Sequence, residues 1–280
     1  MIIALFPNTS KSQTKNIALG IREFLVGRGC KVVAEDEDAQ VIGLDPLSSV
    51  DPKDIKFLIS LGGDGTILRL VHRHPELNAP MLGIKLGGLG FMADIPITDI
   101  YSSLQDVLDG HYTVQDRIIM EGQTSQGQRS FAINEIVFHR SPNPCIIDLS
   151  IHVDGSYLNT FSADGIIIAT PGGSTAYSLA AGGPILSPEV DAYVITPISP
   201  HTLSNRPIVL QPRHQMQVQY LSEYQPIEVI FDGLTRFTIA TGETLNITPS
   251  KRTFPLLNLT RHEYFATLRT KLGWTGKMRT

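Results

Sequence analysis

The feature that most constrains the fold of this chain is a change of hydrophobic period near residue 115. Before it, short β-branched runs alternate with helical patterns, the mark of a parallel sheet covered by helices. The runs IIALF, CKVVA, IKFLISL and APMLGIKL read as strands. Ile17, Ile21, Phe24 and Leu25 fall on one helical face, with Gly29 placed to end it; Ile100, Leu104, Val107 and Leu108 form a second face that stops at Gly110. Beyond residue 115 apolar and polar residues alternate with period two, as in QMQVQYL, and Asp154-Gly155 and Asp232-Gly233 supply two-residue hairpin signals. The expected fold is an α/β N-terminal domain with a parallel sheet, residues 1–114, followed by a β-rich domain, residues 115–257. A final helix is expected in EYFATLRTKLGW.

Composition narrows the function classes. The 280 residues carry a net charge of −4, with no cluster of Lys and Arg to grip a polyanion, so no nucleic-acid partner is expected. No apolar run approaches the ~20 residues of a membrane helix, and MIIALFP reads as a first strand rather than a signal peptide. Cys30 and Cys145 are too few for a disulfide framework and lack metal-ligand spacing. A cytoplasmic protein with no membrane partner is the expectation.

Five stretches carry chemistry. In SLGGDGT, glycines at the carboxyl end of a strand let backbone N–H groups approach an anion, and Thr66 can cap the following helix. Asp64 would repel phosphate there, which suits it instead to a cation or to a hydroxyl nucleophile that must lose a proton; the plainer reading is a tight turn with Asp64 as a helix cap. Neither a Walker loop nor G-x-G-x-x-G occurs in the chain. In GIKLGGLGFMAD, Lys85 can meet a phosphate and Phe91 can stack on a ring, or both can be ordinary surface and core residues. In FAINEIVFHR, adjacent Asn134 and Glu135 interrupt a strand pattern and offer donors and acceptors to sugar hydroxyls or a base edge; a strand end or bulge explains them equally. ADGIIIATPGGSTAYSLAAGGPI joins Asp164 and a buried strand to a loop rich in glycine and hydroxyl groups. ITPISPHTLSNRPIVL, with His201 and Arg206, reads as a proline-stiffened structural path. Arg69 lies near enough to the glycine turn to reach a phosphate, whereas His72, Arg73 and His74 read as a solvated basic face.

Taken together and in this order, GGDGT, LGF, NE, DG followed by TPGGSTAYSLAAGGPI, and ITPISPHTLSNRPIVL resemble the NAD kinases of bacterial type, nearly end to end. The resemblance implies phosphoryl transfer from ATP, or from polyphosphate, to the adenosine-ribose 2′-hydroxyl of NAD, giving NADP. It implies Asp64 as the base, with Gly65 beside it in the nucleotide contact. Asn134, Glu135, Asp164, Thr175, Ala176 and Tyr177 are then NAD-contacting positions, and Ser178, Leu179 and Ala180 complete that segment. It further implies a β-sandwich-like second domain, a C-terminal segment, 258–280, that returns to the first domain, a divalent cation such as Mg²⁺, and a homo-oligomer, dimer or tetramer. The chain departs from the family pattern at Gly172, where a hydroxyl residue is usual, at Ala180, where Ser is common, and at Lys85 and Ile133, where Asn is frequent. Two rivals are a lipid kinase that shares the GGDGT turn and a non-catalytic NAD(P)-binding regulator. In lipid kinases an Asn-Glu pair follows the turn closely, whereas here Asn134 lies 70 positions beyond Asp64.

Overall fold

The structure is a computed structural model that describes residues 1–7, 12–202, 204–212, 215–261, 263–274 and 276. The chain divides into two compact units, Met1–Asp116 with Pro255–Thr280, and Arg117–Phe254.

The first unit is a parallel sheet. Ile2–Pro7 lies at its centre, with Lys31–Ala34 and then Asp45–Pro46 on one side, and Ile55–Gly62 and then Met81–Lys85 on the other. Leu256, from the returning C-terminal segment, adds a further parallel neighbour opposite Met81. The strand order reverses beside Ile2–Pro7, and open sheets of this kind bind ligands outside the strand ends at such a reversal. Ser12–Val26 and Ile100–Leu108 are helices whose apolar faces enter the core: Ile21, Leu25, Ile100 and Leu104 pack with Leu5, Ile59 and Ile84. Gly29 (φ 76°) and Gly110 (φ 80°) take the left-handed conformation that ends each helical stretch, as their positions in the sequence imply. The late helix spans Tyr264–Leu272 and stops at left-handed Gly273, two residues short of the Trp274 that closes the sequence pattern.

The second unit is a sandwich of antiparallel sheets. One contains Ile147–Val153, Ser156–Ala163, Met216–Tyr220 and the first half of Thr244–Leu259. The other runs Ile208–Leu210, Tyr193–Ile198, Gly165–Ala169, Glu135–His139, Ile227–Phe231 and Thr235–Ile239. Alternate residues from both, among them Leu149, Ile151, Val218, Phe138, Ile166, Ile168 and Val229, meet in one core. The strand GIIIA is apolar on both faces because its other face is covered too: Val137, Ile167, Ala169 and Val194 pack against Ala181 and Leu186 of the glycine-rich segment. Packing thus sets that loop on the outer face of the sheet. At Asp154-Gly155 the turn is the tight hairpin expected, both residues having positive φ. Asp232-Gly233 also has positive φ, but Phe231 pairs with Thr235, so three residues occupy the loop.

Candidate active site

In the first unit the carboxyl end of Ile55–Gly62 turns at Gly63 into the helix Asp64–Arg73. Gly63 caps it reciprocally with Thr66: the Thr66 N–H donates to the Gly63 carbonyl at 2.8 Å, and the Gly63 N–H donates to Thr66 Oγ1 at 3.4 Å. Asp64 therefore stands in the first turn, with its side chain free to point away from the helix. It is held from outside. The loop after Met81–Lys85 aims three backbone donors at it: the Phe91 N–H reaches Oδ2 at 2.9 Å, and the Met92 and Ala93 N–H groups reach Oδ1 at 3.2 and 2.9 Å. Oδ1 is thus doubly occupied, and Oδ2 keeps a lone pair for a further partner.

The glycines of GIKLGGLG make this approach possible. A Cβ on Gly90 would sit 2.0 Å from Asp64 Oδ1, and one on Gly83 would sit 2.4 Å from the Met92 carbonyl oxygen. Lys85 points back over the turn, its Nζ lying 2.6 Å from where a Cβ on Gly63 would be. Arg69 is exposed one helical turn on and donates to Thr66 Oγ1 at 3.4 Å. Gly65 is exposed. Phe91 contributes its backbone N–H to the Asp64 clamp, while its ring lies 6.2 Å from that of Tyr264 and under Lys271.

A cavity of about 1030 Å³ opens in this unit, its lining including Phe6, Pro7, Glu35, Thr66, Arg69 and Arg73. The sequence reading of His72–His74 as a solvated basic face fits Arg73, which is exposed, but needs correction at His74. His74 Nε2 lies 2.6 Å from Glu35 Oε1 and Nδ1 lies 3.2 Å from Glu76, and Arg73 pairs with Glu35 at 3.0 Å. Burial works to raise the Glu35 pKa, but hydrogen bonds from His74 and Arg73 and their charge outweigh it, so this carboxyl titrates below its ordinary value. Single-residue pattern cannot show such a partner 38 positions away.

The second unit assembles the other candidates. Asn134 and Glu135 open the strand Glu135–His139 and are both buried. Asn134 Oδ1 and Glu135 Oε2 have no hydrogen-bond partner, a costly state for buried polar atoms unless a ligand completes them. Burial and the neighbouring Asp232 charge push the Glu135 carboxyl up to about 8, against a hydrogen bond from the Tyr177 backbone N–H. The glycine-rich loop closes over the pair. Thr170 Oγ1 donates to the Ile133 carbonyl at 2.5 Å, the Gly173 N–H donates to Thr170 Oγ1 at 3.2 Å, and a Cβ on Gly173 would strike the Asn134 carbonyl oxygen at 2.1 Å.

Beyond Gly173 the segment folds on itself. Thr175 Oγ1 donates to the Gly172 carbonyl, and Ser178, fully buried, shares a 2.9 Å hydrogen bond with Thr196. Ala176 precedes the single turn Tyr177–Ala180; Tyr177 and Ala180 are exposed and Leu179 is half-buried. Ser178 is therefore a strut of the loop. Asp164 is half-buried and ion-paired with Arg140 at 2.7 Å. The side chains of His201 and Arg206 are exposed, so the structural role read for them from the sequence does not extend to burial; Leu203 between them lies outside the described residues.

Sequence reasoning missed Asp232. Its turn signal was plain, but its carboxylate is a structural element in itself, accepting N–H bonds from Ile133 at 2.8 Å, Asn134 at 2.8 Å and Glu135 at 3.1 Å. The signal that could have found it is a second polar interruption, Asp232, at the end of an alternating strand, matching the interruption at Asn134-Glu135.

An open parallel sheet with a clamped carboxylate at a glycine turn, and a sandwich in which one amide oxygen and one carboxyl oxygen lack partners beneath a glycine-hydroxyl loop, define a nucleotide-handling protein with the parts of a phosphotransferase. Comparison with known proteins specifies which. Residues 3–112 match the ATP-NAD kinase N-terminal domain and residues 133–259 the ATP-NAD kinase C-terminal domain. The NAD kinase of Protochlamydia amoebophila is 57% identical over 278 residues, 99% of this chain and 100% of that protein; the NAD kinase of Geotalea daltonii is 36% identical over 97% of this chain and 98% of its own length. Among solved structures, yeast NADH kinase complexed with NADH superposes with a TM-score of 0.87 at 25% identity, covering 100% of this chain and 89% of that one. An NAD kinase from Archaeoglobus fulgidus in complex with ATP gives 0.76 at 25% identity, covering 99% and 100%. The chain belongs to the ATP-NAD kinase family.

Proposed function

We propose that this NAD kinase transfers the γ-phosphoryl group of ATP to the adenosine-ribose 2′-hydroxyl of NAD, with Asp64 as the base and NADP as product. The observation that carries the role of Asp64 is its clamp: three loop amides fix the carboxylate at the carboxyl edge of the sheet and leave a lone pair of Oδ2 uncommitted. A carboxylate so held orients the hydroxyl and accepts its proton as the phosphoryl group arrives. The oxygen attacks phosphorus, the bond to the leaving diphosphate oxygen breaks, and the proton ends on Asp64. Gly65 and Arg69 attend the donor phosphates, and the cavity beside Arg69 receives the rest of the donor.

Asn134 and Glu135 hold NAD through their unpaired oxygens, and Asp164, Thr175, Ala176, Tyr177, Ser178, Leu179 and Ala180 shape the loop around it. Phe91 contributes through its backbone. Among the described residues no three His, Cys, Asp or Glu side chains gather as metal ligands. The divalent cation, Mg²⁺ in this proposal, comes with the donor as the metal complex of ATP. The enzyme works as a homo-oligomer in the cytoplasm, in keeping with the family resemblance and with Cys30 and Cys145 both free; among the described residues no helix is long and apolar enough to cross a membrane.

The test uses the purified chain with NAD, Mg²⁺ and a panel of donors including ATP and inorganic polyphosphate, with NADP read by an NADP-specific dehydrogenase. NADP formation with ATP is expected. Saturable NAD binding with no product from any donor would establish a regulator instead.

A further inference from the structure

The Asp232 loop is tied to the entry of the strand that carries Asn134 and Glu135. Asp232 is buried with φ 51°, in a hairpin loop of three residues. Both its oxygens are used: Oδ2 accepts from the Ile133 N–H, and Oδ1 from the N–H groups of Asn134 and Glu135. Its own N–H donates to the Glu135 carbonyl at 3.0 Å. Four hydrogen bonds thus span three consecutive residues, at the place where the next strand neighbour, Thr170, bonds to the Asn134 carbonyl at 2.9 Å. Two consecutive polar side chains in extended backbone point to opposite faces unless the chain is held otherwise. Here the chain bends at Ile133 and Asn134 before the strand begins at Glu135, and the Asp232 carboxylate holds the backbone through that bend.

We propose that Asp232 is a positioning residue for the NAD site, fixing the backbone from which Asn134 and Glu135 present their side chains to the nucleotide. The proposal rests on the reading of that pair as NAD contacts. A carboxylate is needed because three N–H donors converge on two acceptor atoms, a demand that an amide, with one acceptor oxygen, cannot meet. The same group places a negative charge beside Glu135. Burial acts on Glu135 most strongly, Asp232 adds to it, and the Tyr177 N–H opposes both. Asp232 therefore also marks the titration of Glu135, which reports its charge beside that residue.

The test is Asp232→Asn in the full chain, with steady-state kinetics and with the Glu135 carboxyl followed by ¹³C NMR. One strand amide loses its acceptor, so KM for NAD should rise roughly tenfold, while kcat, set at Asp64, stays within about threefold. The Glu135 titration should move to lower pH, because a like charge that raised it is gone. An unchanged KM for NAD in the folded variant would overturn the proposal, whatever the Glu135 titration does. The double variant Asn134→Ala, Glu135→Ala separates this from failure of the underlying reading: if it leaves KM for NAD unaltered, the pair does not hold NAD, whatever Asp232 does. If Asp232→Asn does not fold, amide hydrogen exchange in the unaltered protein decides. Ile133, Asn134 and Glu135 should be protected like the adjoining strand, and exchange at the rate of free turn amides would overturn the proposal.

Discussion

Gly90→Ala tests the clamp on Asp64 without changing the chemistry of the carboxylate. The new methyl would lie 2.0 Å from Asp64 Oδ1, 2.8 Å from its carboxyl carbon and 2.9 Å from the Ala93 carbonyl oxygen, where real Cβ contacts essentially never fall under 3.0 Å. Gly90 does not adopt a positive φ, so backbone strain adds nothing and the clash alone decides the outcome. Relief requires the carboxylate or the loop to shift by about 1 Å, at an overpacking cost of ~1–3 kcal/mol. A displacement of that size at a reacting group is worth ~10²-fold in rate. Initial rates of NADP formation at saturating NAD and ATP, beside thermal unfolding to confirm the fold, give the answer. The expected result is a folded enzyme with kcat down by about two orders of magnitude. A folded variant with kcat within about threefold of the parent would refute the claim that loop geometry sets the carboxylate.

Two further outcomes follow from the second unit. The raised Glu135 pKa means that the folded state holds a proton the unfolded chain releases between the ordinary value of 4.5 and about 8, so this residue's contribution to stability falls as pH rises through that window. Glu135→Gln should flatten the dependence, visible as a smaller drop in urea midpoint from pH 5 to pH 8; an unaltered slope would contradict the assignment. At Gly172, whose backbone is helical (φ −59°, ψ −46°), an added Cβ meets Asn134 Oδ1 at 3.6 Å and Thr170 Oγ1 at 3.5 Å, ordinary contacts. Gly172→Ser brings a hydroxyl within reach of an oxygen that has no partner, and should stabilise the protein by ~1 kcal/mol in thermal unfolding. A lowered midpoint would count against that geometry.

What the sequence disclosed and what it withheld divide along the range of the interaction. Helix faces and their glycine stops were legible because period and left-handed backbone are local: Ile21 and Leu25 are buried and Gly29 and Gly110 have positive φ. The placement of Asp64 at a strand-to-helix turn was legible for the same reason. Its three amide partners were not, because they come from residues 27 to 29 positions later and are backbone groups that any sequence would supply. Asp232 read as half of a turn signal, since its partners lie 97 to 99 positions earlier. Arg73 is solvated as its position implies, but the half-burial of His74 against Glu35 is invisible to helical periodicity, because Glu35 comes from the end of a distant strand. The short helix Asp36–Ile42 had too few residues to show a period.

In the proposed mechanism the Asp64 carboxylate takes the proton of the attacking hydroxyl. Asp64→Asn keeps an acceptor for the Met92 and Ala93 N–H groups if its oxygen occupies the Oδ1 position, and removes the basic lone pair of Oδ2. The direct measurement is single-turnover NADP formation, with NAD affinity measured separately by calorimetry. NAD binding within about threefold of the parent and a chemical step slowed by ~10²–10⁴ are expected; a chemical step at the parental rate would contradict the role of Asp64 as the base.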